Sequence, residues 1–183
     1  MGNMNYIEFT ESIIGSGDVL IFGPGYNTQL SSSVNSIYNY INNDLDILAK
    51  ISEIKKNGKI LLFDQIIMSR VFEHIPCRNV DYYLREIASI MRLGAILEII
   101  VPNMSAVVNA LELCNKWDFN FLRLNFELFS EGGLRDRHSL WTTEKTVPMI
   151  VEQEKQFKLV EMKKVHIDTT LVPENLWFTF KKI

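Results

Sequence analysis

The sequence predicts an α/β fold built on a mostly parallel sheet, and three features near its middle carry that expectation. Asp64-Gln65-Ile66-Ile67-Met68 is short and apolar, as a central parallel strand covered on both faces must be. Tyr83, Leu84, Ile87, Ile90 and Met91 then recur at three- and four-residue spacing, the period of an amphipathic helix. Ile96-Leu97-Glu98-Ile99-Ile100-Val101 gives a second buried strand, ended by Pro102, which has no N–H for a ladder. Strand, crossover helix and strand in that order form the unit that joins parallel neighbours.

Taken in order, Tyr6 to Ile14 has a weak helical pattern that fits a cover for the sheet edge or a lid, and Gly15-Ser16-Gly17 breaks it. Asp18 to Phe22 is a buried strand running straight into Gly23-Pro24-Gly25. Glycine there lets the backbone turn tightly and approach a ligand without a Cβ in the way, although a plain tight turn needs the same residues. Ser36 to Ile41 reads as the second strand, with a polar end at Asn42-Asn43-Asp44. Asp46 to Ile51 is read as a third strand, the alternative being a helix running on to Lys56, and Asn57-Gly58 is a turn. Asn79 or Asp81 caps the crossover helix, and Gly94 sits where its C-terminus wants a left-handed residue.

Met104 to Trp117 has helical spacing, and Asp118 to Trp141 is rich in aromatics and arginines without a clean period. Thr143 can cap a last helix, with Glu144 in its first turn and Pro148 early enough to be tolerated. Leu159 to Ile167 and Leu176 to Phe180 are the closing strands, the latter an antiparallel partner at the sheet edge.

Composition narrows the function classes. At 183 residues, 47% hydrophobic and 22% charged, the chain fits a single domain with a substantial core. A net charge of −3 and basic runs no longer than pairs such as Lys55-Lys56 argue against a nucleic-acid partner, since phosphate contacts need clustered cations. No apolar segment approaches the ~20 residues of a membrane helix, and MGNMNYIEF lacks the marks of a signal peptide. The expectation is a soluble, cytoplasmic protein with no membrane partner. Cys77 and Cys114 are isolated, which suits free thiols in a reducing compartment, and no ligand spacing points to a metal.

Phe63-Asp64, Val71-Phe72-Glu73-His74-Ile75, Leu84-Arg85-Glu86-Ile87, Met91-Arg92-Leu93-Gly94-Ala95 and Val101-Pro102-Asn103 carry a resemblance. In order and spacing they resemble the FDVV…VLEHI…LREI…LKPGG…VPN pattern of small, type 11-like class I S-adenosylmethionine (SAM)-dependent methyltransferases. The resemblance implies a Rossmann-like, mostly parallel seven-stranded sheet with helices on both faces, an antiparallel last strand, and SAM across the ends of the first strands. It makes Gly23 and Gly25 the cofactor loop, and Asn42, with Asp44 two residues on, the ribose-binding end of the second strand. It also sets Ser52 and Glu53 in the loop beside the adenine and Ser69 at the cofactor end of its strand. The chain departs from the pattern at Ile21, Asn42 and Lys50, where the family carries acids, and at Asn27, where it carries a third glycine. A nicotinamide enzyme fits less well, because G-x-G-x-x-G needs glycine at Thr28 and no Tyr-x-x-x-Lys pair is present.

Methyl transfer is an in-line displacement, so the protein chiefly places the acceptor and, for a hydroxyl, removes a proton. His74, on the loop after the Asp64–Met68 strand, is the first candidate base, because imidazole titrates near neutrality. A histidine there can equally steady its own loop. Glu73 is grouped with the acceptor-binding residues and is also placed to orient His74; no second acidic cluster accompanies it for a metal. Arg135-Asp136-Arg137-His138-Ser139-Leu140-Trp141-Thr142 looks like the H-x-x-x-x-T stretch of the family, in the region where it inserts substrate-recognition elements. That makes His138 a second candidate base. Arg135 and Arg137 are suited to a carboxylate or phosphate on the acceptor, or else to surface pairing with Asp136. His166, within a closing strand, reads as structural. Trp117, Phe119 and Phe121 fit either an acceptor pocket or a homodimer contact. The expected function is methylation of a small-molecule or glycan-type acceptor at oxygen. The rival is a catalytically silent methyltransferase-like protein kept for binding or assembly.

Overall fold

A computed structural model describes residues 6–23, 37–38, 44–56, 62–113, 139–167 and 174–183. Within them one sheet contains β1 (Val19–Phe22), β2 (Ile37–Tyr38), β3 (Phe63–Ser69), β4 (Met91–Pro102), β5 (Phe157–Val165) and β6 (Asn175–Lys182), in the order β2-β1-β3-β4-β6-β5. β2, β1, β3 and β4 are mutually parallel, and β6 runs antiparallel to both β4 and β5. The expected antiparallel last strand is therefore present.

The strands alternate between two covered faces. Leu20, Phe22, Ile66, Met68, Leu97 and Ile99 point into the main core. There they meet α2 (Asp44–Lys56), α3 (Val80–Ser89) and α5 (Thr146–Gln153) through residues such as Ile51, Ile87 and Val151. Val19, Ile21, Ile67 and Ile100 face the other way, against Phe9, Ile13 and Ile14 in and just after α1 (Tyr6–Ser12). α4 (Met104–Leu113) follows β4.

The sequence expectation fails in three places. Residues 46–51 are helical, inside α2, so six strands rather than seven are present among the described residues. Ile47, Ile51 and Ile54 are all buried at helical spacing while Lys50 and Glu53 pair on the outside, a pattern that period two cannot give. Gly94 does not close α3, which ends at Ser89; it lies within β4 at φ +80°. The register passes from Phe63↔Met91 to Gln65↔Ile96, so Asp64 alone faces Arg92 to Ala95 and glycine serves a bulge. Asn79 does precede α3, but without a side-chain capping bond. Finally β6 is interior and β5 forms the edge, because Leu176, Phe178 and Phe180 are fully buried whereas Lys158, Glu161, Lys163 and Lys164 on β5 are exposed.

Gly25, Asn27, Asn42, Cys114, Trp117, Phe119, Phe121, Arg135, Arg137 and His138 lie outside the described residues.

Candidate functional site

The carboxyl ends of β1, β3 and β4 form one edge of the sheet, where open α/β sheets take their ligands. β1 ends at Gly23, whose φ is +79°. A Cβ there would overlap the Ser69 carbonyl oxygen and crowd the Val71 side chain. The requirement for glycine is thus met by the chain's own close crossing of β1 over the end of β3, without appeal to a ligand.

Ser69, expected at the cofactor, is fully buried and accepts a hydrogen bond from Thr10 Oγ1 at 3.3 Å. That contact is one of several that fasten α1 and its following turn across the second face of the sheet. Gly15 N donates to Gln65 Oε1 at 2.7 Å, Gln65 Nε2 donates to the Ile13 carbonyl at 2.9 Å, and Phe9 stands edge-on to Trp177. α1 therefore packs on a face of the sheet, over interior strands, instead of covering the sheet edge.

After Ser69 the chain turns through Arg70, at φ +57°, into a short 3₁₀ turn over Phe72–His74. Arg70 N donates to the Ile100 carbonyl at 2.9 Å, which ties the turn to β4. Glu73 is fully buried. Its Oε1 lies 3.3 Å from Arg70 Nε, an ion-pair distance, yet neither carboxylate oxygen accepts a well-aligned hydrogen bond among the described residues. Its carbonyl is better used, accepting from Ser139 N at 2.7 Å and Leu140 N at 3.1 Å. His74, next to it, is partly buried.

The irregular segment leading into α5 joins this loop to the end of β4. Two residues beyond Leu140, Thr142 Oγ1 donates to the Pro102 carbonyl at 2.7 Å and Met104 N donates to the Thr142 carbonyl at 3.0 Å. Two residues of chain reach at most about 7 Å, so the Glu73–His74 loop and the end of β4 are neighbours. Thr143 Oγ1 accepts from Thr146 N at 3.1 Å, but α5 begins at Thr146 with Lys145 at its N-cap, so Thr143 and Glu144 precede the helix instead of capping it and filling its first turn; Pro148 does fall in that turn.

Beside the end of β4 opens a cleft of about 620 Å³. Asn103, Ser105 and Asn109 line it from the β4–α4 side, and Thr143 and Lys145 from the start of α5. Asn103 Nδ2 donates to Glu174 Oε1 at 2.5 Å, and Lys164 contacts Glu144 at 2.6 Å and Glu174 at 3.5 Å. The Glu144 hydrogen bond and then the Glu174 charge push the Lys164 ammonium above its ordinary range. Sequence reasoning missed these residues as a group, since they come from four separate elements. Asn103, inside the matched VPN stretch, was the one available signal.

Ser52 and Glu53 do not belong to this edge. α2 carries the chain from the carboxyl edge back towards the amino edge, and eight residues of helix put Ser52 about 12 Å along from Asp44. Glu53 instead pairs with Lys50 at 2.9 Å on the helix surface, so Lys50 does not replace a site acid either. Asp44, the first residue of α2, stays at the edge. Ile21 is buried among apolar neighbours. His166, just past β5, is exposed. Among the described residues no three His, Cys, Asp or Glu side chains gather as a metal site, and no helix is long and apolar enough to cross a membrane.

No family model matches the chain, and no curated protein matches it. Solved structures do. Mycolic acid cyclopropane synthase CmaA1, complexed with S-adenosylhomocysteine (SAH), superposes with a TM-score of 0.62 at 10% identity, over 96% of this chain and 82% of that one. The 1,6-didemethyltoxoflavin-N1-methyltransferase of Burkholderia thailandensis, with bound SAH, gives 0.57 at 15% identity, over 91% and 71%. A SAM-dependent methyltransferase from Archaeoglobus fulgidus gives 0.54 at 15%, over 95% and 90%. The chain has the class I SAM-dependent methyltransferase fold.

Proposed function

We propose that this protein transfers the methyl group of SAM to a small-molecule or glycan-type acceptor, at an oxygen atom. The observation that carries the reading is the carboxyl edge itself, where a strand-to-glycine turn at Gly23 stands beside a Glu-His loop on the neighbouring parallel strand. SAM supplies an electrophilic methyl group on a sulfonium. The backbone turn at Gly23, beside the end of β3, is the described feature that suits such a cofactor. Arg70 and Glu73 hold the loop, and His74 would take the proton of the acceptor hydroxyl as that oxygen takes the methyl group and the sulfonium S–C bond breaks to leave SAH. The exposed, free Cys77 thiol suits a reducing, cytoplasmic setting.

A second reading has specific support. Ile21 is packed against apolar side chains where the family pattern has an acid, and the Ser69 hydroxyl is covered by Thr10. Both favour a methyltransferase-like protein that binds or assembles without turnover. The discriminating experiment follows SAH release from labelled SAM over a panel of small hydroxylated acceptors. Under the enzymatic reading His74→Ala loses about 10²- to 10⁴-fold in rate with SAH affinity unchanged. Equal turnover in the parent and in His74→Ala removes His74 as base. Loss only in His138→Ala moves the base to that residue.

A further inference from the structure

α1 is seated on the sheet by the same residues that bond Glu98. Glu98 is buried on β4 with its side chain on the second face, in register with Ile67 of β3 and Thr179 of β6. Its Oε2 accepts from Trp177 Nε1 at 2.6 Å and from Thr179 Oγ1 at 2.8 Å, and the Gln65 amide bonds to it from β3. Trp177 in turn meets Phe9 edge-on, while Gln65 accepts from Gly15 N and donates to the Ile13 carbonyl. Phe9 and Ile13 are about one helical turn apart, so α1 and its exit hold the carboxylate's neighbours on both sides.

Among the described residues no cation pairs with Glu98. Its β3 and β6 partners are neutral donors, and α1 brings Phe9 and Ile13 to this face while Glu11 is exposed. β5 adds Glu161, across from Thr179 and paired with Lys163 at 2.8 Å, and the Lys163 ammonium lies over the Trp177 ring. Lys181, across from Ile96, is exposed. A dry carboxylate without a counter-ion is costly, and neutral donors offset that only in part. Burial accordingly holds the Glu98 carboxyl above its ordinary range. α1 is the element that yields most readily, since seven residues are too few to stay helical alone and Gly15-Ser16-Gly17 follows, with Gly17 at φ +102°.

We propose that Glu98 and Gln65 form a proton-linked clasp on α1, which stays seated while Glu98 holds its proton and lifts from the second face when Glu98 ionises. Seating is strongest below the ordinary carboxylate range and weakens as pH rises from there through the raised value. Lifting also uncovers the Ser69 hydroxyl, to which Thr10 of α1 donates. Calling that an opening of the cofactor edge rests on the proposed function; the clasp itself does not.

The test is hydrogen exchange on the whole protein from about pH 5 to about pH 8, with the intrinsic pH dependence of exchange divided out. Protection of residues 9–15 falls at least about threefold as pH rises, while that of β3 and β4 is held. Glu98→Gln, which keeps an acceptor for Trp177 and Thr179 without a charge, leaves α1 protected throughout. Thr179→Val, which removes a donor to the carboxylate, extends the fall to higher pH. Protection of α1 that ignores pH in the parent, a fall retained in Glu98→Gln, or an equal loss in β3 and β4 overturns the clasp. SAH affinity over the same range tests the link to the site, tightening with pH in the parent and staying flat in Glu98→Gln. Affinity that ignores pH while α1 lifts strikes the opening and keeps the clasp. SAH binding at no pH, with the exchange result as expected, removes the methyl-transfer reading and leaves the clasp standing.

Discussion

The two ends of the same three strands are built on opposite terms. At the amino edge Arg92 bridges Asp64 at 2.6 Å and Asp18 at 2.9 Å, and Asp64 accepts from Asp18 N. Asp18, Arg92 and Asp64 are each more than a third exposed. At the carboxyl edge Glu73 is fully buried, without a hydrogen bond to either oxygen among the described residues, and a polar cleft opens nearby. A hydrated ion cluster stitches strand ends at little cost, whereas a buried carboxylate that meets only Arg70 among the described residues carries a desolvation penalty. The fold carries that penalty at the edge where open α/β sheets place ligands, the edge at which the proposed function sets the site.

The comparison breaks first at its glycines. Gly23→Ala, at positive φ and against the Ser69 backbone, is expected to cost roughly 4 kcal/mol or more in denaturant unfolding. Gly17→Ala at the amino edge is also at positive φ, and its Cβ crowds the Asp64 side chain from carboxylate to Cβ, which gives way only by releasing Asp18 N and Arg92. Those contacts are at a hydrated surface, so the loss is expected to be smaller, about 1–3 kcal/mol of backbone strain with little added. Equal losses would mean that the two edges are equally tight.

Arginine removal comes next. Arg70→Ala strands the Glu73 carboxylate in the interior and is expected to cost about 3 kcal/mol. Arg92→Ala leaves two hydrated aspartates and changes stability far less. A reversal of that order in matched urea titrations would place the strained charge at the wrong edge.

A smaller effect separates the sheet's interior from either end. Burial pushes the Glu98 carboxyl above its ordinary range, against hydrogen bonds from Trp177, Thr179 and Gln65. A raised folded pKa means that the native state holds the proton more tightly than the unfolded chain. The Glu98 contribution is therefore fully present below the ordinary carboxylate value and is lost as pH rises towards neutrality. Glu98→Gln should flatten that fall and raise Tm at pH 7. A variant that retains the parent's slope would mean that Glu98 is ionised in both states.

The smallest effect has the opposite sign. The Asp18 N–H, followed by Arg92, holds the Asp64 carboxyl below its usual range. Its stabilisation is present above the ordinary value and disappears as pH falls through the lowered one. Asp64→Asn should remove a slight acid-side loss that added salt also removes.

Much of the frame was legible because burial on two faces leaves runs that read directly, as in β1, β3 and β4. Asp46 to Ile51 was misread because Ile47, Leu48 and Ile51 suit a strand as well as a helix; Ile54 three residues on decides it, and it lay outside the window taken as a strand. Gly94 was misplaced because a glycine after a helical run fits a C-cap and a bulge equally. At the site, Glu73 and His74 were legible from the strand-to-loop transition. The burial of Glu73 was not, since it depends on contacts such as that of Leu140 with its carbonyl. The cleft was least legible of all. Asn103 and Glu174 meet across 71 positions, and no local pattern announces a contact made by closing a sheet.

The central claim is that the carboxyl edge takes SAM, and calorimetry of the unmodified protein with SAM and with SAH tests it most directly. The account expects both to bind with Kd in the micromolar range, about −8 kcal/mol at 1 μM. Absence of binding by either ligand at about 1 mM would contradict it and leave a methyltransferase fold without its cofactor.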